Sequence, residues 1–131
     1  MAASPVYGTI PNIGPKCVPL VANTTRDGLS GTLYPFYIAG PNGSIINQAT
    51  LTPLGTNVAH VVRFFLKTGE VFQMIKEIAI PATAASETAS QVPFAVPFNL
   101  QMEPAQEIHI TRSAFTAGNA GVEAVAFGLD L

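Results

Sequence analysis

The chain has 131 residues, of which 48% are apolar and only 11% are charged, with a formal net charge of -2. This length suits one domain with a single core, and the scattered charges form no basic patch that would bind nucleic acid or an anionic membrane. The single cysteine, Cys17, excludes an internal disulfide and a cysteine-rich zinc site, and no apolar run approaches the ~18 residues of a membrane-spanning helix.

Residues 1–17 are rich in proline and glycine and predict an extended N-terminal arm rather than a helix or a central strand. The apolar residues Val6, Tyr7, Ile10 and Ile13 are spread along this arm. Because a disordered tail would be more polar, we expect the arm to lie against a protein surface through these residues. The segment also lacks the charged and then apolar pattern of a secretory signal, so we expect no export.

The next part of the chain contains short runs of β-branched and aromatic residues separated by turn sequences. The runs 32–40 and 44–52 flank Pro41-Asn42-Gly43, which predicts a hairpin. The run 57–81 is divided at Thr68-Gly69 into two predicted strands. Its first half also fits a helical period, but its valine and phenylalanine content favours strands.

Residues 82–91 are small and polar and predict a loop or a single helical turn. Three further runs, at 92–102, 106–114 and 121–131, bring the total to about eight strands spaced by about a dozen residues. This pattern is typical of a β-sandwich or a barrel, and eight strands in two sheets suggest a jelly roll. The predicted fold is therefore an all-β, antiparallel, jelly-roll-like sandwich domain over residues 18–131, preceded by the extended arm.

The run 92–102 alternates strictly, with its apolar side chains on one face, yet it contains Pro93 and Pro97. Backbone N–H groups two residues apart leave a strand on the same lateral side, so both missing donors lie on one side. The other side keeps every donor. We predict an edge strand whose free side resists pairing with a further strand, and we place both prolines among the candidate interface residues.

The sequence contains no recognisable set of catalytic residues and no cofactor or metal site. His60 lies on the apolar face of its predicted strand, which favours a hydrogen-bonded core or interface histidine. His109 shares a face with Glu107 and Thr111, a set that would bind a metal only with ligands from elsewhere in the chain. Nucleophile-elbow, phosphate-loop and zinc-protease motifs are missing from the sequence, so we predict that the protein is not an enzyme.

Two basic residues, Arg63 and Lys67, fall on one face of one predicted strand. They indicate either a solvated stripe or a surface pair that binds an acidic neighbour. Other outward positions are mainly alanine, threonine, asparagine, glutamine and proline. A surface of this kind can contact another protein without desolvating many ions.

Four stretches together resemble a group of small virion structural proteins encoded in tailed-phage and prophage genomes: GTNVAHVVRFFLKTGE, KEIAIPATAASETA, VPFNLQMEPAQEIHIT and AGVEAVAFGLDL. The resemblance covers about residues 31–131 and implies a capsid cement or decoration protein. Such a protein is assembled in the host cytoplasm, sits on the outside of the virion and bridges neighbouring capsomers. Its expected partners are the major capsid protein and further copies of itself, as a dimer or trimer. The alternative is a tail- or fibre-associated module that binds a carbohydrate or a receptor.

Overall fold

The computed structural model describes residues 10–13, 22–28, 30–84, 86, 88, 93–114 and 122–131, and these ranges contain strands and connecting segments but no helix. The eight strands are β1 (Ile10–Ile13), β2 (Tyr34–Ile38), β3 (Ser44–Pro53), β4 (His60–Thr68), β5 (Val71–Ile80), β6 (Phe94–Met102), β7 (Glu107–Arg112) and β8 (Val122–Asp130).

The strands form two four-stranded sheets in which all neighbouring strands are antiparallel. Sheet A has the order β1-β8-β3-β6, and sheet B has the order β2-β7-β4-β5. The sheets pack face to face, as the edge-on contact between Phe64 of β4 and Phe98 of β6 demonstrates, with ring centroids 5.1 Å apart. The prediction of an all-β antiparallel sandwich of about eight strands is confirmed.

The core is built from alternate residues of each strand, because successive side chains of a strand point to opposite faces. Val62 and Phe64 of sheet B and Ile46 and Leu51 of sheet A belong to one cluster of buried side chains. Fully burying an aliphatic or aromatic side chain of this size contributes about 1.5–3 kcal/mol. The apolar alternation seen in the sequence therefore fixes which face of each sheet turns inward.

The predicted hairpin between the runs 32–40 and 44–52 is wrong. Its two strands, β2 and β3, belong to different sheets, so the Pro41-Asn42-Gly43 turn carries the chain from sheet B to sheet A. The turn itself is tight: Gly43 has a φ of 90°, and its N–H donates to the Gly40 carbonyl over 3.0 Å. A turn sequence specifies the local reversal, whereas the pairing partner is decided by the whole sandwich.

The division of the run 57–81 at Thr68-Gly69 is confirmed. Strands β4 and β5 pair as neighbours in sheet B, with Thr68 opposite Val71. Gly69 has a φ of 61°, in the left-handed region that glycine adopts readily.

Part of the predicted arm forms β1, the edge strand of sheet A. Ile10 pairs with Asp130 and Ile13 pairs with Phe127. This piece of the arm is extended and lies on the domain of its own chain. Val6, Tyr7 and Cys17 lie outside the described residues.

Candidate functional site

Three of the four edge strands carry a proline: Pro11 in β1, Pro35 in β2 and Pro97 in β6. Strand β6 pairs with β3 alone, so the prediction of an edge strand at 92–102 is confirmed. Pro97 is exposed within β6, and the exposed Pro93 immediately precedes this strand. Because proline cannot donate a backbone hydrogen bond, these edges resist the addition of another strand.

The fourth edge, β5, has no proline but carries two other features that hinder strand pairing. Lys76 lies opposite Phe64 and Met74 lies opposite Phe65, so Ile75 is an extra residue that bulges from the ladder. The ammonium group of Lys76 lies 5.8 Å from the ring centroid of Phe98 in sheet A, so this charge points into the gap between the sheets. Bulges and inward-pointing charges both discourage edge-to-edge association. Strand addition is therefore hindered at all four edges of the two sheets.

Restoring the missing donors of the β6 edge is expected to increase self-association. Replacing Pro93 and Pro97 together with threonine returns both N–H groups while keeping a residue suited to a strand. Light scattering on the purified chain should detect higher-mass species that the wild type lacks at the same concentration. The control is Gln101→Thr, which alters an exposed β6 side chain without changing a donor. An unchanged mass for the proline variant would contradict this account of the edge.

The outer face of sheet A, called the open face below, is almost free of charge. Residues paired across neighbouring strands share a face, so the register defines its rows of side chains. All of these side chains are exposed or partly exposed, and Glu123 is the only charged residue among them. From one end of the sheet to the other the rows are Pro11, Leu129, Ile45 and Gln101; Ile13, Phe127, Gln48 and Pro97; Val125, Thr50 and Ala95; and Glu123 and Thr52.

An apolar pair lies on the β1 side of the open face. Ile13 and Phe127 are register partners, and their exposed fractions are 59% and 39%. Ile10 in β1 and Ile38 in β2 are also exposed large apolar residues. The two predicted interface residues that the structure describes in the arm, Ile10 and Ile13, thus present side chains that a partner can contact.

The outer face of sheet B is charged and covered. Residues 23–28 and 30–32, called the strap below, lie across it. A Cβ atom on Gly28 would lie 2.6 Å from the Cβ of Phe72 and 3.3 Å from a ring carbon of Phe65, and the φ of Gly28 is 70°. Only glycine fits this approach. Phe65 points outward in register with His109, yet it is buried because the strap covers it.

Asn23 closes the base of the strap. Its side-chain amide donates to the carbonyls of Ser30 and Thr32 over 3.1 Å each, and its side-chain oxygen accepts from the N–H and the hydroxyl of Thr25. Its backbone N–H donates to the carbonyl of Arg112 over 2.8 Å. These bonds join the two ends of the strap to each other and to β7.

The prediction of a solvated stripe is wrong for Arg63. The exposed fraction of Arg63 is 4%, and its Nη2 lies 3.4 Å from Oε1 of Glu77. Arg26 of the strap donates hydrogen bonds of 2.9 Å to both carboxylate oxygens of Glu77. These Arg26 hydrogen bonds are the main cause that lowers the pKa of Glu77. Lys67 remains partly exposed, with Nζ 3.7 Å from Oε2 of Glu107. Both basic residues thus contact carboxylates of their own chain.

The two histidines lie on opposite faces of sheet B. His60 faces inward and is buried, and its Nδ1 lies 2.7 Å from the carbonyl oxygen of Val58, which confirms a hydrogen-bonded core histidine. His109 faces outward under the strap, with Nε2 3.4 Å from Oε1 of Glu107. Burial lowers the pKa of both imidazoles. Among the described residues, no three metal-binding side chains come together.

No family model, curated protein or solved structure matches the chain. In the part of the chain that the structure describes, no helix is long and apolar enough to cross a membrane.

A polar clasp that the sequence did not indicate holds β1 in place. Oδ1 of Asp130 accepts hydrogen bonds from the Asn12 amide over 2.7 Å and from the Ser44 hydroxyl over 2.6 Å. Asn12 also donates to the carbonyl of Ile38 over 3.1 Å, so the clasp joins both sheets. It thereby fixes the neighbouring Ile13 on the open face. Asn12 and Asp130 are 118 positions apart, and no local pattern links them.

Proposed function

We propose that this chain is a structural virion protein, a capsid cement or decoration subunit that binds the outer capsid surface and bridges neighbouring capsomers. The observation that carries this proposal is the difference between the two outer faces. The face of sheet B is charged and covered by the strap, whereas the open face is uncovered by any described residue and has Glu123 as its only charge.

The open face is suited to protein contact on physical grounds. Removing ions from water is costly, so an ion-poor face loses little free energy when a partner covers it. Ile13 and Phe127 supply apolar area that becomes buried in such a contact. Large apolar side chains near the centre of an interface usually carry much of its binding free energy.

The hindered edges support the same function. A subunit held at high local concentration beside identical copies must avoid uncontrolled strand pairing, and every edge of both sheets carries a hindrance. Many copies bound to one shell add weak contacts into a strong total attachment. Because the subunits bind only the assembled shell, they stabilise it through mass action.

The pairing order also fits this function. Strands β1 and β8, β2 and β7, β3 and β6, and β4 and β5 are neighbours, as expected when one antiparallel ribbon winds into two sheets. We interpret this order as a jelly roll, an architecture found in viral capsid domains and in lectins. Since a fold does not determine a function, the jelly roll is compatible with both the capsid protein and the alternative sugar-binding module.

The test is co-sedimentation of the purified chain with undecorated shells of the major capsid protein from the same genome. The wild type should sediment with the shells at a fixed ratio. Phe127→Lys places a charge on the open face and should weaken binding at least tenfold, a cost of about 1.4 kcal/mol. The matched control is Val71→Lys on β5 of sheet B, also an exposed apolar residue, which should bind like the wild type.

Equal binding by the two lysine variants would contradict the assignment to the open face. A wild type that fails to sediment with the shells would contradict the proposal as a whole. Retention on a glycan array together with absent shell binding would favour the carbohydrate- or receptor-binding alternative. Light scattering on the same preparation tests whether the subunit is a dimer or a trimer.

A further inference from the structure

The part of sheet B beneath the strap contains a buried guanidinium with few partners. Arg63 stands in the middle of one cross-strand row, between Glu77 of β5 and Thr111 of β7. Both neighbours share its face, so all three side chains point toward the strap. Arg63 and Thr111 are more than nine-tenths buried.

The hydrogen-bonding capacity of this row is largely unused. The guanidinium of Arg63 has five N–H donors. Its Nη2 makes only a long contact with Glu77, at 3.4 Å, and its Nε and Nη1 are buried and have no partner. The hydroxyl of Thr111 is buried and also lacks a partner. A buried polar group without a hydrogen bond is costly, and a buried charge without one is costlier still.

The local charge is unbalanced as well. Arg26 and Arg63 share the carboxylate of Glu77. The two short hydrogen bonds that Glu77 accepts, at 2.9 Å, both come from Arg26. Among these three side chains, two positive groups share one negative group, which leaves a surplus of one positive charge within the trio. The surplus resides on Arg63, the more deeply buried of the two arginines.

We propose that Arg63 and Thr111 bind one small monovalent inorganic anion, such as chloride, beneath the strap. The anion accepts hydrogen bonds from the unused guanidinium N–H groups and from the Thr111 hydroxyl, and it cancels the surplus charge. The strap, which the Arg26–Glu77 pair attaches to β5, covers the anion and excludes larger ions. This inference does not rest on capsid binding.

The experiment measures thermal unfolding of the full chain in sodium chloride or sodium bromide against sodium gluconate, at constant ionic strength. Gluconate is a much larger anion than chloride or bromide, and under this proposal it does not fit beneath the strap, so it serves as the inert anion. An anion that binds only the folded chain raises the midpoint temperature as its concentration rises. We expect the wild-type midpoint to rise by several degrees. Superimposable chloride and gluconate curves would overturn the proposal.

Two charge variants of exposed or partly exposed residues make the test specific. Arg26→Gln frees Glu77 to neutralise Arg63, so the apparent chloride affinity should fall at least tenfold. Glu77→Gln raises the surplus charge, so the apparent affinity should increase. A non-specific salt effect would leave both variants responding like the wild type, and that result would also overturn the proposal.

The matched control is Lys67→Gln, which removes a basic residue from the same face but from a different ion pair, and it should retain the wild-type chloride response. In crystals grown from bromide, an anomalous scattering peak should lie within hydrogen-bonding distance of Arg63. A peak elsewhere on the chain, with none beside Arg63, would contradict the assigned position even if chloride stabilises the fold.

Discussion

Replacing Gly128 with alanine is expected to destabilise the fold by about 2–4 kcal/mol. A Cβ atom at this position of β8 would lie 2.5 Å from the backbone oxygen of Ile45 and 3.1 Å from the Cα of Ile46, and it would also contact the Tyr37 hydroxyl. The first two are backbone atoms of the paired strand β3, so they cannot move without breaking the ladder of sheet A. Tyr37 is buried in the opposite sheet and has no space to withdraw.

Urea unfolding of wild type and variant measures this loss through the shift of the midpoint at constant slope. Gly69→Ala in the β4–β5 turn is the matched control, because a Cβ there meets no atom within 4 Å and only the φ of 61° opposes it. Its expected cost is about 1 kcal/mol. Equal losses for the two variants would show that Gly128 is not in close contact with the backbone of β3 and the Tyr37 hydroxyl.

Most of the fold could be predicted because alternating burial is a local property of a strand. In β6 the predicted inward residues Val96 and Met102 are buried while Ala95 and Pro97 are exposed. The pairing of β2 with β7 could not be predicted in the same way, since their residues are far apart in sequence. A turn such as Pro41-Asn42-Gly43 looks alike whether it closes a hairpin or connects two sheets.

The candidate site could be predicted only in part, because its two faces depend on different kinds of information. The prolines and the exposed isoleucines Ile10 and Ile13 were visible in the sequence as features of individual residues. The burial of Arg63 was not visible in the sequence, because it results from the strap. The strap in turn depends on Asn23, whose side chain forms hydrogen bonds with other residues of the strap. Asn23 uses all of its side-chain hydrogen bonds within residues 23–32. Polar sequence gives little indication that a loop will cover a sheet.

The two outer faces of the molecule are also held by different interactions. On the outer face of sheet B, Arg26, Arg63 and Lys67 each contact a carboxylate of the same chain. The clasp of Asn12, Ser44 and Asp130 fixes the strand that displays Ile13 on the other face. In the proposed capsid contact, a strand that is already held by this clasp would lose less conformational entropy on binding.

Arg112 is a charged residue that lies inside the sandwich. Its position has the same parity as Ile108 and Ile110, both buried, so the side chain points into the core. Arg112 is fully buried, and its Nη2 donates to Oδ1 of Asn57 over 3.1 Å. Its charge also adds to the effect of burial in lowering the pKa of His60.

Replacing Asn57 with alanine is expected to cost about 2–4 kcal/mol, because it removes an acceptor from a buried guanidinium that cannot reach water. Asn57→Asp keeps the accepting oxygen and adds a negative charge beside Arg112, but it loses the Nδ2 donor that lies 3.4 Å from the Gly55 carbonyl, so its cost at neutral pH should be smaller than that of Asn57→Ala. The difference between these two variants should be smaller near pH 3 than at neutral pH, because the introduced carboxyl begins to take up a proton and loses its charge while its oxygen still accepts. Urea unfolding at both pH values measures it. Equal losses at neutral pH would show that the side chain of Asn57 fills space and does not compensate the buried charge of Arg112.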